Sequence, residues 1–344
     1  MLYNVYTIAL TIKVNMSVQV DPLRNDDYKV FLDNEKTKIT LHPNRGGLIS
    51  SILLKEKNYE YLLNGSPVLY SPDITAFPSG DPIHTAFRGG YFEVIPNAGY
   101  SNQYNNVLWA LHSETPYIPW EIQFDEEVNE NSILCIARLK RYPMILYRRI
   151  TLEDYRILVK EKLQNLSNLS LRLSWLHHPT FGGDLLDEST ELSLPEGKII
   201  SDNYLGLQET ETVPGGSGNW PFLKSRNGKN VDLSRYPARG STNTNDLIYF
   251  PDIPEARFKL YNHSKKFGIE CEWDKSVFRT IWIWRCMGGG SYDPWYGRQY
   301  ATSVEITSSW PVTGISKHVE NNTALKIKGN ESIETFLNYK LLFH

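Results

Sequence analysis

The chain is poor in the residues that disulfides, metal clusters and membrane spans require. Three cysteines, Cys135, Cys271 and Cys286, are spread through 344 residues. None forms a Cys-x-x-Cys pair, and an odd number cannot be fully paired within one chain. Each lies in an apolar run, so buried, reduced thiols in a cytoplasmic protein are expected rather than nucleophiles. No apolar run reaches the ~18 residues of a membrane helix. Charge of one sign is not concentrated anywhere: 36 basic and 39 acidic residues are interspersed, for a net charge of −3. That excludes the basic patch of a nucleic-acid or membrane-surface binder. A phosphate-cradling glycine loop opening a helix is missing, and so is a zinc-ligand spacing, so neither cofactor nor metal is expected. Long periodic helices are missing too; the nearest candidate, Asp184–Leu194, is short.

Apolar side chains and aromatics are plentiful. Hydrophobic residues make up 41% of the chain, with nine Trp, 21 Tyr and 13 Phe. A large core is therefore available. Aromatic faces also suit the C–H faces of sugars. Most of the chain reads as strands between turn signals. KITLHPNRGGLISSILL is a strand, a turn at Pro43–Gly47 and a second strand. YRRITLEDYRILVKEKLQNLS is two strands about a turn near Glu153–Asp154. KFGIECEW puts Phe267, Ile269, Cys271 and Trp273 on one face at period two. TIWIWRC is a buried strand, and ETFLNYKLLFH closes the chain as another. Residues 71–86 and 213–246 are irregular, and the second stretch is long enough to cover a site. No linker or repeat divides the chain. The expected fold is all-β, a large antiparallel β-sandwich spanning residues 1–344 as one domain, with residues 1–16 a possible N-terminal extension.

Four stretches carry candidate chemistry. In WLHHPTFGGD, adjacent residues of a strand point to opposite faces, so His177 and His178 would not grip one ion. One would face a cleft and the other pack behind it. In RQYATSVEITSSWP, the alternation Ala301, Ser303, Glu305 ends in a carboxylate near a turn, suited to a general base or simply exposed. In HTAFRGGYFEVIPNAGY, Arg88 precedes Gly-Gly; its planar fork could bind sugar hydroxyls or phosphate, or make a surface ion pair. His112, in WALHSETPYIPW, follows an apolar run and reads by default as structural.

The order of these segments along the chain resembles the aldose 1-epimerase family of the galactose mutarotase-like superfamily, over nearly all of residues 38–310. HPNRGGLISSI resembles its early Gly-Gly strand pair. FRGGYFEVIPNAG is similar to its Arg-Gly-Gly…Pro-x-x-Gly segment, and LHSETPYIPW to its His…Trp segment. NLSNLSLRLSWLHHPTFG is similar to its Asn…His-Pro-x-Phe segment. FRTIWIWR, PWYGRQY and SVEITSSWP resemble its closing Trp strand and Glu-bearing strand. The resemblance implies a galactose mutarotase-like sandwich. It also implies cofactor-free interconversion of sugar anomers, with a small-molecule carbohydrate as partner. By position, His178 matches the family's general acid and Glu305 its general base. His112 matches a second site histidine and Arg88 a sugar-contacting arginine. Asp246 matches an acidic sugar ligand. His177, Trp284 and Arg298 complete the expected lining. His112 is followed by Ser-Glu where the family usually has glycine. Glu305 is followed by Ile-Thr where proline is usual. These departures point to a divergent member. They leave open a non-catalytic sugar binder or, on a similar sandwich, a polysaccharide lyase or glycoside hydrolase. Neither the sugar nor the oligomeric state is legible.

Overall fold

The computed structural model describes residues 18–22, 28–64, 89–123, 131–204, 208–292 and 295–344. Arg88, the irregular stretch 71–86 and the proposed extension at 1–16 lie outside them. The strands that position the site are, in chain order, β1 (Leu48–Leu54), β2 (Gly90–Val94), β3 (Ser132–Arg138), β4 (Met144–Glu153), β5 (Arg156–Asn165), β6 (Leu176–Phe181), β7 (Thr244–Phe250), β8 (Arg257–Asn262), β9 (Phe267–Trp273), β10 (Thr280–Met287), β11 (Tyr300–Thr307) and β12 (Ser332–Phe343). A fourteen-stranded sheet contains the consecutive neighbours β1-β2-β6-β11-β10-β7. An eight-stranded sheet contains β3-β4-β5-β12-β9-β8. The pairings along both paths are antiparallel.

Alternation decides which strand faces where. In β5 every second side chain from Ile157 to Asn165 is buried while its neighbours reach outward. This is the pattern of a sheet with one wet face. Phe267, Ile269, Cys271 and Trp273 of β9 are all buried, as period two requires. β10 and β11 are buried at every position. One face of each packs on the second sheet through Ile281, Ile283, Val304 and Ile306. The other joins a separate apolar cluster containing Phe92, Leu176, Trp282, Trp284 and Ala301.

The turns follow local chemistry. The β4–β5 hairpin pairs Glu153 with Arg156 across two loop residues, and Asp154 takes the left-handed φ of 49° that such a tight turn requires. Gly46 has φ 64°, and a Cβ there would come within 2.4 Å of the Pro116 backbone. The Asp184–Leu194 stretch is not helical. It forms turns followed by a strand at Thr190–Ser193, because Leu192 enters the core and Asp187 accepts the Ser189 amide at 2.8 Å. The region 213–246 is not one open loop either. It carries short strands at Ser217–Asn219, Phe222–Lys224 and Asn230–Asp232. A helix at Ile315–Glu320, absent from the sequence reading, follows the Glu-bearing strand.

Candidate functional site

Register builds the site. Across β2, β6, β11, β10 and β7, pairing aligns Phe92 with His178, Glu305 with Trp282, and Trp282 with Tyr249. The β6–β11 register, Leu176 with Thr307 and Thr180 with Ser303, carries the row from His178 to Glu305. One row on one face therefore reads Phe92, His178, Glu305, Trp282, Tyr249. An imidazole and a carboxylate stand at the centre of an aromatic floor.

The pair is in direct contact: His178 Nε2 lies 3.3 Å from Glu305 Oε1. Ser303 sits two residues before Glu305 on the same face, and its hydroxyl donates to Oε1 at 2.6 Å. Two residues after His178, Thr180 Oγ1 lies 3.2 Å from His178 Nδ1. The imidazole stacks on Phe92, with centroids 4.4 Å apart and planes 21° from parallel. His112 meets it edge-on at 5.5 Å. The His112 ring is held by Nδ1 donating to the Ala98 carbonyl at 2.5 Å. His112 has a φ of 51°, a left-handed value uncommon outside glycine and enriched at functional sites.

Burial governs the protons. Glu305 is 3% exposed, and loss of solvent pushes its carboxyl from 4.5 up to about 8, with Ser303 opposing. His178 is 6% exposed; burial, and then the nearby His112, drive its imidazole well below 6.5. Burial thus works against charge on both members of the pair.

The other expected residues fall in different places. Trp284 lies on the same face as Glu305, one row away and opposite Ser303, and its Nε1 donates to Asn245 at 2.8 Å. Arg298 is exposed in the connection between β10 and β11. Asp246 points to the opposite face of the sheet from Glu305. It shares its face with Ile248 and Phe250 of the main core, and its carboxylate accepts the Thr212 amide and hydroxyl at 3.1 and 2.7 Å. His177 occupies the rear face, as strand alternation demands, and is fully buried. There it lies 3.2 Å from Glu161 and 2.8 Å from the Tyr91 hydroxyl. Glu93, Glu161 and His177 bring potential ligand atoms within 4.8 Å of one another, with the Arg148 guanidinium beside both carboxylates. Sequence reasoning did not single out Phe92, Ser303, Trp282 or Asn245. Ser303 was within reach, since period two puts it beside Glu305. Phe92 and Trp282 needed the cross-strand register.

No protein-family model matches the chain, and no curated protein matches it. Solved structures do. A Klebsiella pneumoniae chain provisionally assigned as an aldose 1-epimerase superposes with a TM-score of 0.71 at 14% identity. The match covers 96% of this chain and 85% of that one. A galactose mutarotase-like protein of Clostridium acetobutylicum gives 0.67 at 13% identity over 95% and 98%. The Slr1438 protein of Synechocystis gives 0.66 at 15% identity over 94% and 98%.

Proposed function

We propose that this chain, which has the galactose mutarotase-like sandwich fold, interconverts the α and β anomers of an aldose or aldose derivative by acid/base ring opening. The observation that carries this reading is the 3.3 Å contact of Glu305 and His178 on an aromatic floor. The anomeric hydroxyl and the ring oxygen share one carbon. An acid and a base standing side by side can therefore serve both oxygens. In one direction the imidazole takes the hydroxyl proton while the carboxyl protonates the ring oxygen. The ring opens, the C1–C2 bond rotates, and closure on the other face returns both protons. The roles are interchangeable, because each ring opening moves the shared proton from one partner to the other. A glycoside hydrolase would need two carboxylates flanking one bond. Among the described residues, Glu305 is the carboxylate on the row beside His178.

No helix among the described residues is long and apolar enough to cross a membrane. The free, buried Cys135, Cys271 and Cys286 support a reducing, cytoplasmic setting. The test follows fresh α- and β-aldoses by polarimetry and by NMR exchange. The protein should accelerate anomerisation, and Glu305→Gln should remove a factor of about 10²–10⁴. Sugar binding without acceleration in the wild type would refute the catalytic reading.

A further inference from the structure

Two hydroxyls flank the reacting pair. Thr180 follows His178 by two residues on β6, and Ser303 precedes Glu305 by two on β11. Strand alternation puts each on the face of its reacting neighbour. The two strands are antiparallel, so two steps forward on one and two back on the other reach the same level. Thr180 accordingly pairs with Ser303. Their row continues to Gly90 on one side and to Trp284 on the other. Gly90 has no side chain, and Trp284 directs its Nε1 to Asn245. The two hydroxyls thus stand together, one row from the acid and the base.

Each is directed at a reacting group rather than at backbone. Ser303 donates to Glu305 Oε1 at 2.6 Å, and Thr180 Oγ1 lies 3.2 Å from His178 Nδ1. Other hydroxyls along and just after β11 behave differently. Thr302 donates to the Trp284 carbonyl, Thr307 to that of Trp175 and Ser309 to that of Thr323. Thr180 and Ser303 are fully buried, so water does not stand in for a lost hydroxyl. The ring nitrogen facing Glu305 is Nε2, at 3.3 Å. Nε2 is therefore the nitrogen that exchanges a proton. Nδ1 keeps its own, whether the ring is a neutral base or an imidazolium. A hydroxyl beside Nδ1 then acts as its acceptor throughout. On the carboxyl, Oε1 is the oxygen already engaged, and accepting a short hydrogen bond makes it the less basic of the two.

We propose that Thr180 and Ser303 are positioning residues that assign the exchanging atoms of the site: Thr180 accepts from Nδ1 and leaves Nε2 to exchange, while Ser303 donates to Oε1 and leaves Oε2. Each acts through its neighbour and takes no proton from the sugar. Losing the Thr180 acceptor strands a buried N–H. The ring then turns to its other tautomer, with the proton on Nε2 and no lone pair there for a sugar hydroxyl. Losing Ser303 removes the bond that opposes burial, so the carboxyl holds its proton more tightly. The titratable neighbours of Glu305 are His178 on β6 and, beyond it, His112. From β10 the facing residue is the uncharged Trp282. Removing the Ser303 hydroxyl changes none of these.

The kinetic consequence rests on the mutarotase reading, so the experiment has a kinetic and a spectroscopic arm. The full chain is compared with Thr180→Val, which keeps the side-chain shape, Thr180→Ser, which keeps the hydroxyl, and Ser303→Ala. By polarimetry, Thr180→Val should lower kcat about 10- to 100-fold with KM little changed, and Thr180→Ser should recover most of the loss. Ser303→Ala should lower kcat about 10-fold and move the alkaline fall of the rate up by about one pH unit. By long-range ¹⁵N–¹H NMR, the neutral His178 ring should carry its proton on Nδ1 in the wild type and on Nε2 in Thr180→Val. By ¹³C NMR, the Glu305 carboxyl should titrate at higher pH in Ser303→Ala. Variants that melt earlier yet keep the wild-type kcat, pH profile and His178 tautomer would overturn the proposal. So would a wild-type ring already protonated on Nε2 alone. A wild type that fails to accelerate anomerisation refutes the mutarotase reading only, because the NMR arm still decides the positioning. Should Ser303→Ala not fold, Thr180→Val carries both arms.

Discussion

The buried carboxyl of Glu305 should make the protein less stable as pH rises, and removing its charge should reverse that. Burial raises this group from 4.5 to about 8. The folded state therefore holds the proton more tightly than the unfolded chain does. The stabilisation is fully present below 4.5, declines as pH rises, and is gone above about 8. A shift of roughly 3.5 units at ~1.36 kcal/mol each is worth about 4–5 kcal/mol. Glu305→Gln keeps the acceptor for the Ser303 hydroxyl and loses the titration. Near pH 5 the two proteins should differ by less than ~1 kcal/mol. At pH 9 the variant should be more stable by about 4 kcal/mol. With an unfolding entropy of ~2.1 cal/mol/K per residue, that is a gain of ~5 °C in Tm. The other buried carboxyls, Glu93 and Glu161, titrate in both proteins and cancel in the difference. The assay is calorimetry of both proteins at pH 5 and 9, alongside anomerisation rates. The variant should be more stable at pH 9 and nearly inactive, a trade of stability for function. Equal pH dependence in the two proteins would refute the claim that burial sets this proton.

The anomerisation rate should be flat around neutrality and fall above about pH 8, where the pair loses its one proton; a rate still rising at pH 9 would contradict this. Asp246→Asn should leave the sugar KM unchanged while lowering stability by about 1–3 kcal/mol, because its bonds to Thr212 are core bonds. Denaturant titration beside kinetics checks this. Burial pushes the Cys135 thiol up to about 12 and raises Cys271 and Cys286 as well. All three should resist a thiol reagent until the protein unfolds, and one equivalent of rapid native labelling would refute it.

Local patterns carried well from sequence to structure where only neighbours mattered. Period two placed Phe267, Ile269, Cys271 and Trp273 in the core. It also split His177 from His178 before any contact was known. It did less well where tertiary packing chose between local options. Asp184–Leu194 reads as a short helix, yet the core takes Leu192 through a strand. Asp246 offers a carboxylate on β7, but alternation alone does not say which face of β7 lies beside Glu305. By itself the sequence determined an all-β chain with buried thiols, and a histidine doublet whose members must face opposite ways. Those follow from residue chemistry and the pleat of a strand. Only the tertiary structure decided that His178 meets Glu305, that both are buried, and that His177 lies on the opposite face beside Tyr91 and Glu161. Each of those depends on the register of distant strands and on the removal of water, and neither is encoded at any one position.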